Sequence, residues 1–211
     1  KTTVLFAALL GLVGGAWVVL TAQRNVARIA HSAFHFGIAE RCAIVLCTID
    51  IAMLLAKSAD RWFAAMGLVI IGCGLIAIGI IDALTHRVPR YINGLAITLG
   101  VPLLVLDAIV HWELGNVLRA GAGAVALFAF FVALKSLAQG SFGKGDVLLA
   151  PIVGFALAYN SWGALLNGVV AIFLIGGVVS AVLLLTGRVS RKSRIAFGPY
   201  IVAGTLLALI I

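Results

Sequence analysis

Long apolar runs follow one another along this chain with only short polar connections between them, which excludes a water-soluble globule. Of the 211 residues, 64% are hydrophobic and 10% charged, with a mean hydropathy of +1.22. So little polar side chain cannot cover a soluble surface. The runs are long and do not alternate, so they predict membrane-crossing helices rather than barrel strands. Glycine is abundant, at 24 residues, as expected where helices approach closely in lipid. The expected fold is all-α: a polytopic transmembrane bundle of about eight spans, forming a single integral membrane domain over residues 1–211.

The spans are read near 2–20, 39–56, 63–84, 91–110, 117–136, 147–159, 163–185 and 196–211, the sixth short enough to be re-entrant. No connection is long enough for a folded soluble domain, and there is no low-complexity run or internal repeat. The apolar start up to Leu20 reads as a first span, since no small-residue cleavage site follows it. Alternate connections carry Arg24 and Arg28, then Arg87 and Arg90, then Lys135 and Lys144, then Arg188, Arg191, Lys192 and Arg194. The opposite connections hold Lys57 and Arg61, the latter offset by Asp60, and then Glu113. Positive loops stay in the cytoplasm, so the basic side is expected to face inward and both termini outward. Trp62, Trp112 and Trp162 all fall on the poorer side, where an interfacial aromatic belt would place them.

A net charge of +8 does not imply nucleic acid here, because the basic residues are spread over short loops without interleaved aromatics. Their expected partner is anionic membrane lipid. Cys42, Cys47 and Cys73 form no CxxC pair and read as buried apolar filler. His31 and His35 have metal-like spacing without a third ligand, so neither a metal nor a cofactor is expected.

Among the acids, Glu40 lies beside Arg41, Asp60 beside Arg61, and Glu113 in an outer loop, so these read as structural. Asp107 is expected to reach the outer interface. Asp50, near the middle of the second span, is expected to pair or to line a cavity, in a structural bond or in support of a site. Asp82 and Asp146 differ, because each ends an apolar run on the basic side. Asp82 opens a polar turn closed by Pro89, and Asp146 follows Gly143, Lys144 and Gly145, where two glycines let the backbone bend and approach a ligand.

Two carboxylates about 3 Å apart cannot both ionise easily, so one stays protonated while the other activates water. Such a pair can hydrolyse an amide: one member takes the water's proton and the other polarises the carbonyl. The bland alternative is a pair of helix-end aspartates bonded to loop donors or to Arg87 and Arg90.

These residues resemble the type IV prepilin peptidases, membrane aspartyl proteases of the GxGD class. Asp82 followed by Pro89 is similar to the family's first catalytic aspartate and its turn. The run GKGDVLLAPIVGFALAY, residues 143–159, resembles the GxGD motif and the helix after it, and FGPYIVAG, residues 197–204, resembles the segment opening the last span. The resemblance covers about 63–211 and implies Asp82 and Asp146 as catalytic, with Gly143, Lys144, Gly145 and Pro89 shaping the site or contacting substrate. It implies cleavage, at the cytoplasmic face of the inner (cytoplasmic) membrane, of prepilin or pseudopilin substrates with a basic leader and a hydrophobic helix. Leu148 and Arg90 stand where members often have Lys and Asp or Asn. The connection 23–38 lacks the cysteine-bearing insertion of larger members, so peptidase activity is expected and N-methyltransferase activity is not.

One rival reading is a small proton- or cation-coupled transporter using Asp82 and Asp146. Such a carrier would more naturally hold its ionisable pair near the bilayer midplane, whereas these lie beside polar turns at one face. Another is a non-catalytic helical subunit, which leaves the Gly-x-Gly-Asp segment without a purpose.

Overall fold

A computed structural model describes residues 2–30, 34–59, 61–137, 143–187 and 196–211. Among them are eight helices and no strand: α1 (Thr2–Ala30), α2 (Ile38–Ser58), α3 (Trp62–Thr85), α4 (Arg90–Val110), α5 (Leu114–Leu137), α6 (Lys144–Asn160), α7 (Trp162–Leu185) and α8 (Gly198–Ile210). Five, namely α1, α3, α4, α5 and α7, are long and apolar enough to cross a membrane. The others fall short for separate reasons. Glu40, Arg41, Asp50 and Lys57 dilute α2, while α6 and α8 have 17 and 13 residues, or about 25 and 20 Å of helix.

The α3 helix is the centre of the bundle, packed against α1, α2, α4 and α8. Leu68, Ile71, Leu75, Ile78 and Ile81 are fully buried along it. Where helices touch most closely, a side chain is missing. A Cβ on Gly67 of α3 would lie 2.9 Å from the Gly100 carbonyl oxygen of α4, and one on Gly154 of α6 would lie 2.5 Å from that of Gly123 on α5. Close backbone approach is how helices gain packing energy where no solvent drives them together.

Two element ends differ from the sequence reading. The first helix runs on to Ala30, so Arg24 and Arg28 lie on its last turns rather than in a loop. Neither Gly nor Pro interrupts Gln23–Ala30, and Arg28 suits the negative end of the helix dipole. The sixth helix starts at Lys144, so Asp146 lies in its first turn instead of in the preceding loop.

The expected grouping by side holds for the described residues. Trp62, Trp112 and Trp162 are 39%, 92% and 51% exposed, at the start of α3, the end of α4 and the start of α7. Asp82, Arg87, Arg90, Lys135, Lys144 and Asp146 lie at the other end of the bundle. Arg188, Arg191, Lys192, Arg194, Asp60 and His31 lie outside the described residues. Cys73 is buried as expected, whereas Cys42 and Cys47 are exposed on α2.

Candidate active site

Asp82 sits one turn before the end of α3, whose polypeptide leaves the helix through a left-handed residue, His86 (φ 54°, ψ 35°). The His86 N–H returns to the Asp82 carbonyl oxygen at 2.8 Å, a capping bond that satisfies one otherwise orphaned acceptor. Pro89 then caps α4 with φ −71°, so the seven-residue step from Asp82 to Pro89 is one helix exit and one helix entry. The imidazole of His86 lies near enough to Asp82 for the two to interact electrostatically.

Asp146 is the third residue of α6, and its carboxylate folds back over Gly143, the N-cap. A Cβ on Gly143 would stand 2.7 Å from Asp146 Oδ2. Gly143 has φ −66° and Gly145 is helical, so neither uses a left-handed backbone. Gly145 instead makes room for a neighbour, since a Cβ there would come within 2.5 Å of Val88 Cγ2. Val88 belongs to the turn after Asp82, so this contact brings the two aspartate segments together.

The structure places Asp82 and Asp146 at the same end of the bundle, each 5% exposed, with carboxylates close enough for their charges to interact. Asp82 Oδ2 accepts the Gly198 N–H at 3.0 Å. Beside them, Asn93 of α4 donates to the Leu148 carbonyl oxygen at 2.8 Å, tying α4 to the first turns of α6. Lys144 is exposed at the start of α6. Sequence reasoning gave no role to Val88, Asn93 or Gly198, although Gly198 lies within the segment singled out near the last span. A polar Asn one turn past Pro89 in an apolar run was the available signal for Asn93. No group of three or more His, Cys, Asp or Glu able to hold a metal occurs among the described residues.

Of the remaining acids, Glu40 and Glu113 are structural as expected, whereas Asp50 and Asp107 part from expectation. Glu40 caps α2, accepting the Gly37 N–H at 2.9 Å. Asp50 stands exposed on α2 and is not paired among the described residues. Asp107 does not reach the interface: it is 1% exposed and accepts the Tyr159 hydroxyl at 2.9 Å. Arg61 pairs with Glu113 at 2.7 and 2.6 Å, a bidentate bond that holds the Glu113 carboxyl below its ordinary range and raises the guanidinium further. These groups border a cleft of about 480 Å³ at the end of the bundle opposite Asp82 and Asp146.

Comparison with known proteins places this geometry in context. Residues 68–185, from within α3 to the end of α7, match the type IV leader peptidase family. That stretch contains both aspartates and stops short of Gly198. A prepilin leader peptidase/N-methyltransferase of Bacillus subtilis (strain 168) is 35% identical over 86 residues, which are 41% of this chain and 34% of that protein. The chain thus matches about a third of the length of that relative. No solved structure matches.

Proposed function

We propose that this chain, which belongs to the type IV leader peptidase family, is a membrane-embedded aspartyl endopeptidase that removes leaders from prepilin-like substrates at the cytoplasmic face of the inner membrane. One observation carries the reading: two buried aspartates from α3 and α6 share one end of the bundle, where the Val88–Gly145 contact joins their segments. A buried pair of like charges is costly unless it is put to use.

The chemistry follows from sharing one proton. A water between the carboxylates is the nucleophile; the ionised aspartate takes its proton while the protonated one donates to the scissile carbonyl oxygen. Collapse of the tetrahedral intermediate then breaks the C–N bond, and the proton held by the base passes to the leaving amine. The Gly198 N–H engages Oδ2 of Asp82, leaving Oδ1 for the water. The substrate's apolar helix packs laterally against the bundle, which delivers the bond next to it to this end.

Basic connections repel a basic leader, so the leader is held through the dyad region and backbone groups near Gly143 rather than by surface charge. Lys144, exposed beside Asp146, is positioned to meet the peptide or the solvent.

Co-expression with a prepilin-like substrate tests the reading. Asp82→Asn and Asp146→Asn should each abolish trimming while the protein still accumulates in the membrane at parental level. Trimming retained in either variant overturns it. Proton or cation flux lost in those variants with trimming unchanged would favour the carrier.

A further inference from the structure

The helices that carry the aspartates, α3 and α6, run antiparallel and touch each other only sparsely. Their relative placement therefore depends on α4 and α8, which pack against both, and on the bonds that other elements make at the two ends. Near the aspartates, these are the Val88–Gly145 contact, the Asn93–Leu148 bond and the Gly198–Asp82 bond. At the far end, one side chain reaches both helices. Asp107 of α4 accepts the hydroxyl of Tyr159, next to last in α6, and has Arg61 Nη1, immediately before α3, at 3.7 Å from the same oxygen.

The surroundings brace this junction. Arg61 is gripped by Glu113, whose Oε2 also accepts from Asn116 at 2.7 Å. Arg119 donates to the carbonyl oxygens of Ala158, Tyr159 and Asn160 at 2.6, 2.5 and 2.9 Å, closing the C-terminal end of α6. His111 Nδ1 lies 3.5 Å from Asp107 Oδ1. That Oδ1 is buried without a hydrogen-bond partner among the described residues. A buried carboxylate left half satisfied is a poor source of stability, and an apolar side chain of similar size would often serve better. What Asp107 supplies is register.

We propose that Asp107 is a positioning residue: by bonding the Tyr159 hydroxyl at the end of α6 and attracting Arg61, the residue before α3, it sets the relative height of the two helices and thereby the separation of Asp82 and Asp146. A hydrogen-bonded helix resists axial compression, so a displacement at one end passes along its length. Displacement of a reacting group by about 1 Å can cost on the order of a hundredfold in rate. This inference rests on the catalytic reading of the aspartates.

The test measures geometry and rate together. Leu84 and Leu148 are 48% and 37% exposed near the Asp82 and Asp146 ends, so Leu84→Cys and Leu148→Cys accept spin labels once the native cysteines are replaced by Ala. Pulsed-EPR distances in lipid nanodiscs are compared for the parent, Asp107→Asn and Tyr159→Phe. In unlabelled protein, kcat and KM are measured on a prepilin-like peptide. Both variants should shift or broaden the distance distribution, and kcat should fall about tenfold with KM unchanged.

An unchanged distribution overturns the inference, as does a displaced one with parental kcat. If Asp107→Asn does not accumulate, Tyr159→Phe, which removes a single hydroxyl, decides alone. Parental cleavage by Asp82→Asn and Asp146→Asn would instead defeat the catalytic reading, leaving the distances to decide whether Asp107 sets register.

Discussion

The backbone N–H of Gly198 donates to Oδ2 of Asp82 across 116 positions of sequence, at 3.0 Å. Gly198 opens α8, so its N–H is one of the donors a helix start cannot pair internally, and the positive end of the helix dipole faces the carboxylate. Pro199 follows, which has no N–H to lose at a helix start. A Cβ at position 198 would meet Asp82 Oδ2 at 2.5 Å.

Gly198→Ala should therefore displace the carboxylate or its donor. A hydrogen bond to a charged group is worth about 1.5–3 kcal/mol, so cleavage should fall by roughly 10- to 100-fold. Gly94→Ala on α4, where an added Cβ meets nothing within 4 Å, should cleave as the parent does. Rates on a prepilin-like peptide at equal amounts of folded enzyme make the comparison.

Gly145 and Val88 give a test by compensation. Gly145→Ala drives a methyl into Val88, whose Cγ2 and Cβ would lie 2.5 and 2.9 Å away. Overpacking of this kind costs about 1–3 kcal/mol and pushes the two aspartate segments apart, so activity should drop. Val88→Ala added to Gly145→Ala removes the nearer clash and should restore activity in part. A double variant no better than the single one would show that Gly145 acts otherwise than by admitting Val88.

The helices were legible because membrane spans announce themselves by composition, and the parity of short connections placed Asp82 and Asp146 at one end. Helix neighbours were not legible. Gly198 reaches Asp82, and Tyr159 reaches Asp107, across distances over which an apolar pattern carries no pairing information. The same gap explains Asp107, read as interfacial from its place near a span end although α6 covers it. Gly145 was read as admitting a bend and a ligand, because glycine offers backbone freedom and absence of bulk alike and one sequence does not say that Val88 fills the space. Arg119 was hidden by lying inside an apolar run, where only the fold shows that it closes α6.

Asn93 is 8% exposed and gives its amide to the Leu148 carbonyl oxygen, linking α4 to α6 two residues beyond Asp146. Asn93→Leu removes the donor while also deleting the buried Oδ1, which has no partner among the described residues. Losing one hydrogen bond costs about 1 kcal/mol, and removing an unsatisfied oxygen offsets part of it. Thermal stability in detergent should thus change little while cleavage falls. A large loss of stability with a parental rate per folded molecule would mean that Asn93 secures the bundle rather than the site.

The Arg61–Glu113 pair fixes how the far end responds to acid. Glu113 lies between α4 and α5, and the guanidinium bonded to it holds its carboxyl below the ordinary value of 4.5. A carboxylate lowered on folding contributes stability that is complete above its unfolded pKa and is lost as pH falls through its folded value. The contribution should be constant at neutral pH and decline below about pH 4.5. Glu113→Gln should lower the melting temperature at pH 7 and leave a smaller difference from the parent at pH 3. Salt should weaken the neutral-pH difference because the pair is partly exposed. A difference that grows on acidification would contradict the assigned sign and show that Arg61 does not favour the charged form of Glu113.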